Sequence, residues 1–439
     1  MKKLLLILLI LSVPMGTYAK SFLDMQIEET EKNIKYNTSQ KYHGTSYENL
    51  NSEEIAKEQA HLIKDPGLYR LARYNVIPDA DYKKKLAADE LVYKNKMENI
   101  FNVKNKNDFE GVNFYRVYRI CERIIRANNL DYVNWRVAIR KTKDLNAMST
   151  DTNYVEINTG LYDSLGENDD ALAFVIGHEM AHMILGHTSR GAELATKSAY
   201  LNSKLSWAIR NNDTAMAVGY RKQLNDLFEE SRQMEYMADS EGLSLIIKAG
   251  YSPEKARETL VLLESLQGKY ISDIDNHPHG LYRIKNFENE YLVSDPNWVY
   301  VGRENLYNSE VLPCRKSSDR VSFVVLKSKN PSKRYYPENI EEKLTRMGYV
   351  AYLKGVLGLS KMYLTKLAKI KKTDYIPYLY ISYANEVNYK VYKDKKWLKE
   401  ADKAIKKAEK LAPTSPYVKE QMESVKKLKE QVKNNELVL

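Results

Sequence analysis

The chain has 439 residues, enough for two to three domains and for a sizeable buried core without a disulfide scaffold. Hydrophobic residues make up 43% and charged residues 29%, with 12 Pro and 18 Gly, which excludes a largely disordered, collagen-like or low-complexity chain. The net charge of +10 is compatible with a nucleic-acid binder, a membrane-surface binder or one basic module, and only its distribution along the chain separates these classes.

The N-terminus has the pattern of a secretory signal peptide. Lys2 and Lys3 precede an uncharged run of ten residues, Leu4 to Val13, and the small-residue site Thr17 to Ala19 follows. Such a run is about half the length of a membrane span. We therefore expect residues 1–19 to be removed. The mature chain is expected in the periplasm, or outside a cell that has no outer membrane, with no transmembrane segment.

The chain contains two cysteines, Cys121 and Cys314. In an exported protein they can form one disulfide or remain two separate buried thiols. Their positions in the sequence do not decide between these alternatives.

The segment from Asn168 to Ile184 predicts a buried helix. Asn168 is a suitable N-cap, and Asp169 and Asp170 suit the positive end of the helix dipole. Most of the residues that follow are apolar, which indicates a helix inside the core.

This helix carries the pattern His178-Glu179-Met180-Ala181-His182. At about 100° per residue, the two histidines lie about 40° apart and one turn above each other, so both imidazoles can reach one zinc ion. Glu179 points to the neighbouring side, where it can meet a water on the metal. The alternative is two satisfied core histidines, although burying them beside a glutamate is costly without a metal.

A catalytic zinc needs a third protein ligand. The metzincin pattern would place a third histidine at position 188, where this chain has Thr188. His187 stands nine residues beyond His178 and would point to the opposite face of a continuing helix.

A second helix, predicted over residues 224–249, offers a carboxylate instead. Glu235 and Asp239 lie one turn apart on the same face. Glu235 can bind zinc while Asp239 accepts the second ring proton of a ligating histidine. The alternative is an ordinary acidic helix face.

Together these residues resemble the HtpX and CAAX-prenyl-protease type of zinc metallopeptidases. Four ordered motifs carry the resemblance: Asn146-Ala147 with the strand-like Tyr154–Asn158 and Thr159-Gly160-Leu161; His178–His182 with Gly186-His187; Glu235–Asp239; and His277-Pro278 with Arg283. The resemblance implies that one Zn2+ per chain is bound by His178, His182 and Glu235. It also implies that Glu179 is the general base and that Asp239 supports the ligands.

The resemblance makes three further residues candidates. His277 and Arg283 would approach the zinc or the scissile carbonyl, and a structural contact with an acidic partner is the alternative for Arg283. Asn146 would mark the edge on which a substrate backbone lies by strand addition.

Membrane-embedded members of this family have long apolar spans around the metal helices. Here residues 188–225 are polar or at most amphipathic. The chain therefore resembles the soluble, exported branch. That branch includes the β-barrel assembly-enhancing protease type of the bacterial periplasm and ends in tetratricopeptide repeats.

The positive charge is confined to the C-terminal quarter. Residues 331–439 contain 24 Lys and Arg against 13 Asp and Glu, whereas residues 20–330 have a net charge of −3. We therefore predict a boundary near Asn330-Pro331 between a metallopeptidase domain, residues 20–330, and a helical module, residues 331–439.

The C-terminal module is predicted as four helices: Arg346–Lys371, Tyr375–Tyr392, Trp397–Leu411 and Pro416–Val432. Ala351 and Ala384 stand 33 residues apart, close to the tetratricopeptide period of about 34. The lysines between positions 393 and 410 form solvated helix faces by default; a docking surface for an acidic partner or an anionic lipid is the alternative. Nucleic acid is not expected, since no binding motif for it is present.

The predicted fold is mainly α. It consists of an α+β zincin-type metallopeptidase domain, with a small sheet and active-site helices, followed by a tetratricopeptide-like module. The resemblance implies an exported zinc metalloendopeptidase of the gluzincin type that cleaves unfolded or misassembled envelope proteins. An envelope protein would dock on the repeats. The alternative is a periplasmic chaperone or binding protein with a latent zinc site, but Glu179 argues against it because a structural zinc needs no base.

Overall fold

The computed structural model describes residues 76–101, 109–267, 280–319, 321–331 and 335–436. The predicted signal peptide lies outside these described residues, and so does His277.

Helices dominate the described chain, and a small sheet interrupts them. The helices are α1 Asp79–Asn99, α2 Phe109–Ala127, α3 Thr159–Leu165, α4 Asp169–Ile184, α5 His187–Arg210, α6 Thr214–Lys248, α7 Pro253–Gln267, α8 Gly280–Leu292, α9 Trp298–Tyr307, α10 Ile340–Leu353, α11 Leu357–Ile370, α12 Ile376–Tyr392, α13 Lys395–Leu411 and α14 Pro416–Glu436. The strands are β1 Trp135–Arg140, β2 Ala147–Thr150, β3 Tyr154–Asn158, β4 Cys314–Lys316 and β5 Ser322–Val325. The prediction of a small sheet with active-site helices and a helical C-terminal module is confirmed.

Contacts within the chain divide it into two compact units. Of the described residues, the first unit holds 76–288 and 298–337, and the second holds 289–297 and 338–436.

The first unit contains the sheet, whose strand order is β2-β3-β1-β5-β4. β1 runs parallel to β3, and the other neighbouring pairs are antiparallel. Val137 of the central strand pairs with Val155 on one side and Phe323 on the other, and all three side chains are buried. β2 stands at an edge of this sheet, which leaves its outer side available to another strand.

α4 is a core helix with a polar start. Asn168 Oδ1 accepts a hydrogen bond from the Ala171 backbone N–H at 3.1 Å, so the predicted N-cap is present. Every residue from Ala171 to His182 is buried, as expected of a helix that is apolar nearly all round.

α4 and α6 approach each other so closely that a side chain at the contact would be crowded. A Cβ atom on Gly242 would lie 3.0 Å from the backbone N and 3.1 Å from the Cα of His178. Backbone atoms of a buried helix cannot rotate away as a side chain can. Gly242 therefore sets the distance between the two helices that carry the predicted metal ligands.

α5 and α6 follow each other as a helical hairpin and pack through a row of buried apolar residues. Near the turn between the two helices these residues recur every seven positions: Leu194, Leu201 and Ala208 on α5, and Ala217 and Leu224 on α6.

The second unit consists of α10 to α14 with the segment 289–297. Its core contains a group of buried tyrosines, in which Tyr380 meets Tyr349 and Tyr352 edge-on at ring-centroid distances of 4.6 and 5.3 Å. Ala351 and Ala384 are both fully buried, on α10 and α12. The lysines of α13 lie on its exposed face, as expected for a solvated helix.

The single helix predicted from Arg346 to Lys371 is wrong. The chain forms α10 and α11 there, separated by a turn in which Gly355 has φ +73°. The Val356 N–H bonds to the Ala351 carbonyl at 2.8 Å and closes the end of α10. The apolar pattern continues across this turn because α10 and α11 each bury an apolar face.

Cys121 and Cys314 are separate buried thiols, which settles the alternative that the sequence left open. Burial raises the pKa of Cys314 to about 11. Over the described ranges, no helix combines the length and the apolar composition that a membrane crossing requires.

Replacing Gly242 by alanine is expected to lower the free energy of unfolding by about 1–3 kcal/mol, because the added methyl group meets the His178 backbone. Gly219→Ala is the matched control on the same helix, since a Cβ atom there meets nothing within 4 Å. This control should raise stability by up to about 1 kcal/mol through helix propensity. Denaturant unfolding of both variants measures the difference, and equal stabilities would contradict the assigned contact.

Candidate metal centre

Three side chains from α4 and α6 converge at the centre of the first unit. His178 Nε2 lies 3.1 Å from His182 Nε2 and 3.4 Å from Glu235 Oε2, and His182 Nε2 lies 3.3 Å from Glu235 Oε1. All three residues are buried. The helical spacing predicted for the histidines therefore brings their Nε2 atoms together, and the second helix supplies the carboxylate.

This arrangement fits a tetrahedral metal ion. Bonds of about 2.0–2.1 Å to nitrogen and oxygen ligands place the ligand atoms of a tetrahedral site about 3.3 Å apart. The separations of 3.1 to 3.4 Å between the Nε2 and carboxylate oxygen atoms match this value. Two imidazoles and one carboxylate are also the ligand types that a catalytic zinc takes, with a fourth position left open.

Asp239 contacts His178 on the side of the ring that faces away from the other two ligands. It is fully buried, and its Oδ1 lies 2.9 Å from His178 Nδ1, the ring atom that faces away from the cluster. Arg283 on α8 donates two hydrogen bonds to this carboxylate, from Nε at 2.8 Å and from Nη2 at 2.7 Å. Arg283 Nη1 also lies 3.3 Å from Glu235 Oε2. The structural alternative for Arg283, a contact with acidic partners, is therefore the arrangement observed.

These contacts shift the pKa values of the buried groups. Burial disfavours the charged form of Asp239, but the Arg283 charge and the hydrogen bonds outweigh it and hold the pKa of Asp239 at about 2. Burial likewise disfavours the protonated form of His178, yet hydrogen bonds to Asp239 and Glu235 raise its pKa to about 9 in the metal-free protein. The carboxylates around His178 thus favour a positive charge at this position.

Glu179 is buried beside the cluster and lines the cavities on both of its sides. It therefore faces the open space on both sides of the cluster. A carboxylate at such a point can act as a general base.

His187 contacts the centre, contrary to the expectation from helical periodicity. α4 ends at Ile184, and Gly186 takes a left-handed conformation with φ 73°, so the chain turns before α5 begins. As a result, His187 Nδ1 lies 3.2 Å from His182 Nδ1, and burial lowers the pKa of His187 to about 4. The signal in the sequence was Gly186, which typically ends a helix.

Asn146 lies immediately before β2 and lines both cavities together with Ala147. Its carbonyl accepts a hydrogen bond from the Asn158 N–H at 3.1 Å, which anchors β2 to β3. The structure thus brings Asn146, Glu179 and Arg283 to the same site. His277 lies outside the described residues.

The known proteins to which this chain is similar are metalloproteases, which is consistent with a metal centre at this site. Residues 112–291 match the model of peptidase family M48. The metalloprotease YcaL of Escherichia coli K12 is 30% identical over 178 residues, which cover 39% of this chain and 67% of YcaL. The metalloprotease LoiP of the same bacterium is 28% identical over 159 residues, 35% of this chain and 61% of LoiP. The mitochondrial metalloendopeptidase OMA1 of Arabidopsis thaliana is 27% identical over 176 residues, 39% of this chain and 35% of OMA1.

A buried His-His-Glu cluster is a ligand set typical of zinc metallopeptidases, and the matched family is a peptidase family. The chain belongs to peptidase family M48. The matched region spans 61% of LoiP and about a third of plant OMA1.

The metal-free protein should lose stability as the pH rises from 6.5 to 9. His178 has a higher pKa in the folded chain, about 9, than its ordinary value of 6.5. Its contribution to stability is therefore fully present below pH 6.5 and is lost as the pH rises through 9. Thermal melts of chelator-treated protein measure this loss. The variant His178→Gln should lack this part of the pH dependence, and an unchanged profile would contradict the assignment.

Removing the His187 contact should weaken metal binding. His187→Ala is expected to lower zinc affinity roughly 10- to 100-fold, because His182 loses the partner that orients its ring. His187→Asn is the matched variant, since its amide oxygen can take the position of Nδ1, and it should restore part of the affinity. Competition titration with a zinc-binding dye measures both, and equal affinity in wild type and both variants would argue against an orienting role.

Proposed function

We propose that the protein is an exported, zinc-dependent metalloendopeptidase that cleaves unfolded or misassembled envelope proteins. The observation that carries this proposal is the buried cluster of His178, His182 and Glu235 with Glu179 beside it, at the point where two cavities meet along an edge strand. Membership in family M48 supports the same reaction class.

The three ligand residues would hold zinc, and the Asp239 carboxylate with the Arg283 guanidinium keeps His178 and Glu235 in place. A zinc ion in this position supplies Lewis-acid chemistry, because it polarises a carbonyl group and makes water a stronger acid near neutral pH. Asp239 contacts Nδ1 of His178, so that Nε2 is directed toward the position where the metal would bind.

Glu179 is assigned the proton transfers. Its carboxylate takes a proton from the attacking water and then delivers a proton to the amine of the leaving fragment. The substrate backbone would lie beside β2, which can pair with an extended segment as an additional strand. Such pairing requires an unfolded stretch of polypeptide, which is why unfolded proteins are proposed as substrates.

The location and the partner are part of the proposal. The charge and apolar pattern of residues 1–19 supports export to the periplasm. The helical pairs of the second unit support a repeat module of the tetratricopeptide type. Modules of this kind hold peptides or partner proteins on a concave surface, and an envelope protein is the proposed partner.

Glu179→Gln should reduce cleavage of an unfolded model protein by roughly 100-fold or more while leaving zinc binding intact, since Glu179 is not among the ligands. The assay compares the purified protein with and without a chelator, followed by addition of zinc. Chelated wild type should be inactive and should recover with zinc.

Cleavage that survives both the chelator and the Glu179→Gln substitution would overturn the zinc mechanism. One equivalent of bound zinc without any cleavage would instead favour a binding protein with a latent metal site.

A further inference from the structure

Two cavities of very different size flank the metal centre. A small cavity of about 60 Å³ lies on the side of α7 and is bordered by Phe174, Leu260 and Leu263. A larger one of about 500 Å³ lies on the side of α5 and α6 and contacts His182 and Glu235. We call the larger cavity the α5–α6 groove.

Both cavities share the residues that a substrate backbone would pass. Asn146, Ala147 and Glu179 line each of them. A polypeptide laid along β2 would therefore place the side chain on one side of the scissile bond over the small cavity. The side chain on the other side would lie over the α5–α6 groove.

Four of the residues that α5 contributes to the α5–α6 groove are small, and they stand beside Thr188, Leu194 and Asn202. Gly191, Ala195, Ser198 and Ala199 follow a spacing of three and four residues, which places them on the same side of the helix. A Cβ atom added at Gly191 would meet nothing within 4 Å. The α5 wall of the groove is thus open at Gly191.

The opposite wall, from α6, is largely apolar. Leu227, Phe228 and Met234 line it, together with the uncharged Ser231 and the metal-centre residue Glu235. Among the described lining residues, the ionisable ones are Glu179, Glu235 and the two histidines His182 and His187, all of which belong to the metal centre or contact it. The remainder of the groove offers no charged partner to a substrate side chain, and its apolar surface from α6 favours an apolar one over the uncharged polar residues that also line it.

We propose that the α5–α6 groove is the subsite that selects a large apolar side chain, such as Phe, Leu or Met, next to the scissile bond. The small cavity accepts only a small side chain on the other side. A volume of about 500 Å³ lies within the usual range of ligand pockets, roughly 300–1,000 Å³, and 60 Å³ lies far below it. This inference rests on the proposed peptidase function and specifies its substrates.

The experiment uses the full chain loaded with zinc. Its cleavage sites in an unfolded protein and in a peptide library are identified by mass spectrometry, with Gly191→Leu and the matched variant Gly219→Leu. Both glycines lie on the α5–α6 hairpin where a Cβ atom meets nothing within 4 Å, but only Gly191 lines the groove. Melting temperatures of both variants verify that they fold equally well.

Wild type and Gly219→Leu should prefer a large apolar residue at one of the two positions adjacent to the cut. Gly191→Leu should lower kcat/KM for peptides with Phe or Leu at that position by roughly 10- to 100-fold, because its side chain fills the groove. The loss should be much smaller for peptides with Ala at the same position, because a methyl group does not extend into the groove.

Chelator-sensitive cleavage without an apolar preference, or a preference that survives in Gly191→Leu, would overturn this inference and leave the peptidase function standing. Absence of cleavage by zinc-loaded wild type would overturn both.

Discussion

A completely buried carboxylate, that of Asp239, joins the helices on which the metal centre depends. It lies on α6, contacts His178 of α4, and accepts two hydrogen bonds from Arg283 of α8. Burying an unpaired carboxylate would cost several kcal/mol, so this charge is tolerated only because the guanidinium and the imidazole face it. The same contacts orient His178 and place Arg283 against Glu235. The ion pair that allows this charge to be buried is thus also what positions the ligands.

The turn at Gly186, which ends the helix of the metal ligands, positions the second histidine as Asp239 positions the first. Because Gly186 turns the chain, α5 runs back beside β2 and brings His187 against His182. The same turn lets the small residues of α5 border the groove beside the metal centre. One local backbone conformation therefore completes the support of the second histidine and also shapes the proposed substrate site.

Much of the fold and the centre follows from local rules. The Asn168 cap, the histidine spacing on α4 and the Glu235–Asp239 spacing on α6 were predictable because helical geometry relates residues a few positions apart. Periodicity failed where a helix stopped. Helical periodicity predicted that His187 points away from the centre, and it predicted one helix where the chain forms α10 and α11. In both places an apolar pattern alone does not show that the helix ends, at Gly186 or before Gly355. Both residues were visible in the sequence, but a glycine ends a helix only in some contexts.

The sequence by itself determined which residue types belong to the centre, because two histidines and two carboxylates at helical spacing have few uses inside an apolar core. Only the tertiary structure decided how they combine. The close approach at Gly242, the pairing of Arg283 with Asp239 and the unequal cavities all depend on contacts between residues distant in the chain. The physical reason is that helical periodicity acts over a few residues, whereas the distance between two helices is set by the packing of whole elements.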